Sequence, residues 1–328
     1  MIAEASQPTT YQTLRPYLFS VAYRMTGSAS DAEDLVQDAW MRYLDAGSPA
    51  VTSLRAYLTT IVSRLALDYL KSARVTREEY IGTWMPEPVL TSDVLDNPAA
   101  TVEQRESVSL ALLTMLEHLT PDQRVVYVLR EGFGLPYDEI AGHIDKSAAS
   151  CRQLFRRAQV RLTDLKIPAR DVSSDHRHLI DRFMDAMFRG DADGVATLLA
   201  DDVIWTADSG PNRLSNRGMI QGRDRVSRGL AGLTRKLRPE MEITTQMVDI
   251  NGKPTVVIFA QGKLERAFAF DTSVDGITHI RILLNPEKLA YLAHSLATEP
   301  VWETPFKAPR GTTESHLLSS TRRHTENE

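Results

Sequence analysis

The chain has 328 residues, more than a single hydrophobic core ordinarily serves, so two or three domains are expected. With 42% apolar and 25% charged residues and a net charge of −5, the composition excludes a disordered, fibrous or strongly basic protein. One cysteine, Cys151, excludes a disulfide framework or a multi-cysteine zinc site, and the absence of an apolar run of about 18 residues excludes a membrane helix. No basic and then apolar leader opens the chain, so no secretion signal is read and a reducing, cytoplasmic setting is expected.

From Tyr11 to about Arg77 the pattern is helical. Ser30 and Glu33 have capping-box spacing, and Ala32, Leu35, Val36, Ala39, Trp40 and Tyr43 then recur at i, i+3, i+4. Asp31, Glu33, Asp34, Asp38 and Asp45 outweigh Arg42 on this helix, a net −4 that by pattern alone suits a solvated face. After a break at 46–49, a second amphipathic run spans Leu54 to Ser72, with Arg64, Lys71, Arg74 and Arg77 against Asp68; it fits a nucleic-acid face or a solvated one equally.

Residues 78–106 read as a linker: Pro86, Pro88 and Pro98, few periodic apolar positions, and a net charge of −6. Residues 107–165 are helical again. Thr120, Pro121 and Gln123 predict a capped helix start, Gly132 and Gly134 an interruption, Tyr137 to Ile144 a short helix, and Ser147 the cap of a longer one ending near Leu165. A short helix, a tight turn and a basic helix make a helix-turn-helix, held by Ile140, Ala141, Ile144, Leu154 and Ala158. Residues 145–170 carry a net +5, suited to phosphate neutralisation, and Ser147, Ser150, Arg152 and Gln153 stand where base edges are read. The competing reading is a basic helix in another bundle.

A second linker covers 168–174. Two short helices broken at Gly190-Asp191 precede strands at 203–206, 255–260, 267–270 and 277–284, with turn signals at Asn251-Gly252 and Asp275-Gly276, giving an α+β domain. Beyond about Thr298 the composition predicts disorder. His176 and His178 have metal-ligand spacing without neighbouring acids, and no metal or cofactor is expected.

Several segments resemble one family. DAEDLVQDAW at 31–40 resembles the core-enzyme-binding helix of sigma-70 factors. AYLTTIVSRLALDYLKSAR at 56–74 resembles the helix that engages the minus-ten element. LTPDQRVVYVLREGFGLPYDEIAGHI and the CRQL helix resemble the domain that reads the minus-thirty-five element. The order of segments is that of the extracytoplasmic-function (ECF) class. WMPEP at 84–88, NGKPT at 251–255 and NPEKL at 285–289 are similar to the SigJ-type branch, whose members end in a SnoaL-like domain. Gln159, where relatives usually carry Arg or Lys, and DSGPNR at 208–213 depart from the pattern.

The resemblance implies a multidomain chain: a sigma region 2 domain at 11–77, an acidic linker at 78–106, a region 4 helix-turn-helix domain at 107–167, a SnoaL/NTF2-like α+β cone at 175–296 and a tail at 297–328. It implies a non-enzymatic factor that binds core RNA polymerase through Asp31, Glu33, Asp34, Gln37 and Asp38. Promoter DNA is met at the minus-ten element through Arg55, Arg64, Lys71 and Arg74, with loop 45–55 holding a flipped base. The minus-thirty-five element is met through Lys146, Ser147, Ser150, Arg152, Gln153, Arg156, Arg157 and Arg161. Trp84, Pro86, Glu87, Asn251, Gly252, Lys253 and Pro254 are the expected regulatory contacts, with the C-terminal domain tuning activity in cis and no typical separate anti-sigma factor. The Asn-Gly pair is equally consistent with a plain hairpin turn. A small-molecule ligand is a candidate occupant of the cone, with Trp205, Asp208, Phe268, Phe270 and His279 as candidate lining and Asp208 with His279 as a remote acid–base pair. The alternative is a one-component ligand-sensing helix-turn-helix regulator, which has no need of the acidic helix.

Overall fold

The computed structural model describes residues 7–78, 80, 83–95, 101–165, 176–210, 219–234 and 243–298. The chain opens with three helices, α1 (Gln7–Thr26), α2 (Ala29–Asp45) and α3 (Leu54–Glu78). Gly27, at φ 71°, makes the corner between the first two. Ser28, not Ser30, caps α2, accepting from the Asp31 N–H at 3.2 Å. The expected capping box fails because Glu33 turns instead to Arg15, 2.5 Å away on α1. Alanines at 22, 29, 32, 39 and 66, all fully buried, let the three helices approach closely around Leu18, Val36, Leu58 and Val62.

The linker packs against both of its neighbours. It carries α4 (Thr91–Val94) and α5 (Val102–Glu106), and Met85, Val89, Leu90 and Val94 are buried. These apolar positions show no helical period because Val89 and Val94 face the helical core while Met85 and Leu90 face the sheet domain.

Next come α6 (Leu110–Leu116), α7 (Pro121–Tyr127), a π-helical turn over Val128–Gly132, α8 (Tyr137–Ile144) and α9 (Ala148–Asp164). The Thr120–Gln123 capping box forms as expected, and Ser147 caps α9 by accepting from the Ser150 N–H at 3.1 Å. Asp145, in the left-handed region at φ 57°, ends α8 and makes the helix-turn-helix turn. Val125, Leu129, Ile140, Cys151 and Phe155 belong to the same continuous core as Leu58, Val62 and Val36. The two helical domains therefore share one continuous core.

The C-terminal part runs α10 (His176–Phe188), α11 (Ala192–Ala196), β1 (Leu199–Asp208), β2 (Ile220–Gln221), α12 (Arg223–Thr234), β3 (Ile243–Ile250), β4 (Lys253–Ala260), β5 (Lys263–Ser273), β6 (Gly276–Leu283) and α13 (Pro286–Thr298). Its strands form one six-stranded sheet in the order β2-β1-β6-β5-β4-β3, antiparallel except for the β1–β6 pair. One face buries Trp205, Val256, Phe268, Phe270 and Ile280 against Phe183, Met187 and Leu230. The other buries Val257, Ala267, Ala269 and Leu283 against Leu289 and Leu292 of α13 and against Met85, Leu90 and Leu110. Burial on both faces explains the continuous Val256–Phe259 run in β4. The second face is also what attaches the cone to the linker.

Candidate nucleic-acid interface and linker junction

On α2, Asp34, Gln37 and Asp38 are exposed and share one outward stripe with Met41, itself 48% exposed. The other two acids expected in this set are engaged internally. The Asp31 carboxylate accepts from Tyr69 Oη at 2.6 Å, and Glu33 pairs with Arg15.

The expected minus-ten cations diverge. The Arg55 guanidinium lies 3.7 Å from the Tyr17 ring centroid, and Lys71 is exposed, 4.0 Å from Asp68. Arg64 donates from Nε to the His143 carbonyl at 3.1 Å and from Nη2 to the Gly142 carbonyl at 3.3 Å. The Arg74 side chain lies outside the described residues.

The helix-turn-helix presents a free face. Arg152, Gln153, Arg156, Arg157 and Arg161 are exposed along α9, whereas Cys151, Phe155, Ala158 and Leu162 face inward. Gln153, Arg156, Arg157 and Arg161 line a groove of about 650 Å³ with Thr120 and Gln123. Ser147 spends its hydroxyl on the cap, and Lys146 lies 3.4 Å from Asp122.

Sequence spacing gave no sign of how the linker is held. The Glu87 carboxylate reaches the start of α2, accepting from Ser28 Oγ and the Ala29 N–H at 2.8 Å and from the Ser30 N–H at 3.2 Å. An anion there satisfies orphan amides and complements the helix dipole. The Glu87 carbonyl accepts from Tyr23 Oη at 2.6 Å, and its N–H donates to the Gly27 carbonyl at 2.9 Å. Trp84 lies under Lys288, whose Nζ is 4.3 Å from the ring, and Pro86 is buried.

Asn251 and Gly252 form the β3–β4 turn, both at positive φ, so the hairpin reading holds. The same turn is also an interdomain contact. Asn251, 1% exposed, accepts from the Val89 N–H at 3.1 Å and donates to Tyr23 Oη at 2.7 Å and the Val108 carbonyl at 2.8 Å. Gly252 donates its N–H to Thr91 Oγ1 at 2.9 Å and packs so tightly that a Cβ would stand 2.3 Å from the Arg105 carbonyl oxygen. Lys253 turns the other way, to Asp271 at 2.8 Å, and Pro254 lies in β4 opposite Asp249.

Asp208 is no partner of His279. Its buried carboxylate accepts from Lys288 Nζ at 2.7 Å, Tyr80 Oη at 2.5 Å and the Met85 N–H at 2.9 Å. Burial and Asp208 together push the Tyr80 phenol far up. His279 accepts at Nδ1 from Arg281, which can only donate, so its Nε2 carries the proton toward Thr206 Oγ1 at 2.9 Å. Burial first, and Arg281 second, lower its pKa to about 3. Burial alone would raise Asp271, but Arg281 and Lys253 outweigh it and hold that carboxyl well below the usual range. Trp205, Phe268 and Phe270 sit in the core of the opposite face, apart from His279. His176 is buried with Nδ1 2.8 Å from Thr272 Oγ1, and the described residues hold no group of three or more potential metal ligands. None of the described helices is long and apolar enough to cross a membrane.

A helical body with an exposed basic recognition helix is joined through a gripped linker to an α+β domain built on a six-stranded sheet, the architecture expected of a sigma-type transcription initiation factor. Residues 10–76 match Sigma-70 region 2, residues 109–162 match Sigma-70 region 4, and residues 180–290 match the SnoaL-like domain. The ECF RNA polymerase sigma factor SigJ of Mycobacterium tuberculosis H37Rv is 41% identical over 74% of this chain and 78% of its own length. The probable ECF RNA polymerase sigma factor SigI of M. tuberculosis CDC 1551 is 36% identical over 84% and 92%. The crystal structure of M. tuberculosis SigJ superposes with a TM-score of 0.68 at 35% identity, covering 87% of this chain and 99% of that one. The chain belongs to the extracytoplasmic-function RNA polymerase sigma factors. It is a non-enzymatic initiation factor, and sigma factors bind core RNA polymerase and promoter DNA.

Proposed function

We propose that the C-terminal domain tunes initiation in cis by holding the linker against the polymerase-binding helix. The observation that carries this reading is the relay from Asn251, through Val89 and Tyr23, to Glu87 at the start of α2. Residues 85–94 run between the sheet and the helical body, so any movement of the cone alters how the linker seats α2. With −6 over 78–106, the freed linker has the charge to occupy a nucleic-acid channel and to be displaced by RNA.

In this reading Asp34, Gln37 and Asp38 dock on polymerase directly, while Asp31 and Glu33 first exchange Tyr69 and Arg15 for it. Arg152, Gln153, Arg156, Arg157 and Arg161 meet the upstream duplex, with Lys146, Ser147 and Ser150 at its edge. Arg55, Arg64, Lys71 and Arg74 serve the minus-ten side. The domain limits at 11–77, 107–167 and 175–296 are the units we assign to these roles. The protein acts in the cytoplasm with polymerase, and the fused cone takes the place of a separate anti-sigma factor. A small-molecule ligand of the cone would act through the same Asn251 relay.

The test is transcription by core polymerase loaded with wild-type or Asn251→Gly protein, on promoters selected from genomic fragments. Altered initiation at unchanged core affinity supports tuning in cis. Initiation equal to wild type, with the linker demonstrably loosened, removes it.

A further inference from the structure

Two cavities meet on the helical body at His118 and Thr120, which line both. One is the basic groove along α9. The other, of about 530 Å³, lies where α3, the linker and the α6–α7 turn come together. Its apolar walls are Leu70, Trp84, Leu119 and Pro121, with Thr83 beside them. Leu70 and Leu119 are buried. The Trp84 ring is held in place, since Lys288 Nζ lies 4.3 Å from it and a Cβ on Gly27 would stand 3.0 Å from its edge. Glu117 and Arg124 also border the cavity, but they pair with each other, so their charges cancel there. None of the residues lining either cavity belongs to the cone.

A cavity of this size accepts a small molecule, and walls of Trp, Leu and Pro favour a flat apolar body over a polar one. With its own charges balanced, the pocket selects by shape and apolarity. Charge enters next door. Beyond His118 the groove is lined by Arg156, Arg157 and Arg161 against a single acid, Asp164. A negative group on a body lodged in the pocket emerges toward three guanidinium groups, whose N–H donors make charge-assisted hydrogen bonds to anions. A positive end would be repelled, and an uncharged one leaves the groove unused. An apolar molecule with an anionic end is the one chemistry that matches both cavities.

We propose that the two cavities form one site for a planar aromatic small-molecule anion, its body against Trp84 and Leu119 and its charged end on Arg157 and Arg161. This site is separate from any ligand position inside the cone. Its coupling to transcription rests on the promoter-binding role assigned to Arg157 and Arg161 above. A bound anion neutralises a cation that the upstream duplex uses, so ligand and DNA weaken each other's binding by the same factor.

Two probes of one skeleton, anilinonaphthalene sulfonate and the uncharged phenylnaphthylamine, test it by fluorescence titration of the full-length chain. The sulfonate is expected to bind one equivalent, about tenfold tighter than the uncharged probe. Arg157→Ala with Arg161→Ala is expected to remove that tenfold and to leave the uncharged probe unchanged. Thr83→Phe, which fills the pocket, is expected to weaken both probes at least tenfold. Hydrogen exchange on the wild-type chain reads the position without any variant: bound sulfonate is expected to slow the Leu119 and Thr120 amides and to leave the sheet unchanged. Equal affinity of the two probes overturns the anionic end. Wild-type affinities in folded Thr83→Phe, or protection confined to the sheet, overturn the pocket. Saturating sulfonate is expected to weaken binding to random-sequence duplex and to flatten its salt slope by about 0.9, one phosphate. An unchanged slope overturns the coupling. If the chain without probe shows no salt-dependent duplex binding, the promoter assignment and the coupling fail together, while the ligand site still stands or falls on the titrations.

Discussion

Replacing Asn251 should uncouple the cone from the helical body while leaving each intact. The side chain makes three hydrogen bonds, to the Val89 N–H, Tyr23 Oη and the Val108 carbonyl, in a site where Asn251 is 1% exposed. Losing them removes about 1 kcal/mol each, and the stranded Val89 and Val108 backbone groups add a desolvation cost of about 1–3 kcal/mol. Asn251 also sits at φ 51°, where alanine is strained by about 1 kcal/mol and glycine is not. Asn251→Ala should therefore cost about 5 kcal/mol and Asn251→Gly about 4. The Val89 amide is the direct reporter, because its proton acceptor is Asn251 Oδ1. Its exchange should accelerate by about a thousandfold in Asn251→Gly, while amides inside β5 and α2 stay near wild type. An unchanged Val89 rate, or uniform acceleration through the sheet, would refute the idea that this side chain is an interdomain fastener.

Four further outcomes are expected. Asp34→Arg, on the exposed stripe of α2, should lower affinity for core polymerase at least tenfold without shifting the melting temperature, as measured by core-binding titration and calorimetry. Arg156→Ala with Arg157→Ala should flatten the salt dependence of duplex binding by about two phosphates, close to 1.8 in slope. Gly252→Ala should displace the segment around Arg105, since the added carbon would lie 2.3 Å from that carbonyl, and proteolysis of the linker should quicken. The cone should lose stability in mild acid. His279 binds its proton near pH 3 when folded against 6.5 when free, so stability is full above pH 6.5 and falls by up to about 4 kcal/mol as the pH drops toward 3. Asp271, held below its ordinary value, adds a loss at still lower pH. Melts of His279→Gln should lack the first decline, and a wild-type curve flat from pH 7 to 4 would contradict it.

The helices of the recognition unit were legible in advance because their signals are local. Thr120, Pro121 and Gln123 satisfy one helix start within a few residues, and the Tyr137–Ile144 helix and the Ser147 cap follow from neighbouring residues in the same way. Strand β3 and helices α12 and α13 were missed. ITTQMVDI alternates weakly because its residues are mostly half-buried, whereas α13 had a local start signal in Asn285-Pro286-Glu287, with Asn285 accepting from the Glu287 N–H at 3.1 Å, that was passed over. The Ser30–Glu33 reading failed because Arg15, a helix away, competes for Glu33.

The sequence alone determined the order of domains, the acidic stripe at Asp34 and Asp38, and the basic helix from Arg152 to Arg161, because periodicity and charge are properties of neighbouring residues. Only the tertiary structure decided that Glu87 caps α2, that Asn251 fastens Val89, that Asp208 pairs with Lys288 and that Arg64 is held by α8. Each of these joins groups between 58 and 162 residues apart. Their meeting depends on how burial closes the chain, which no local spacing encodes.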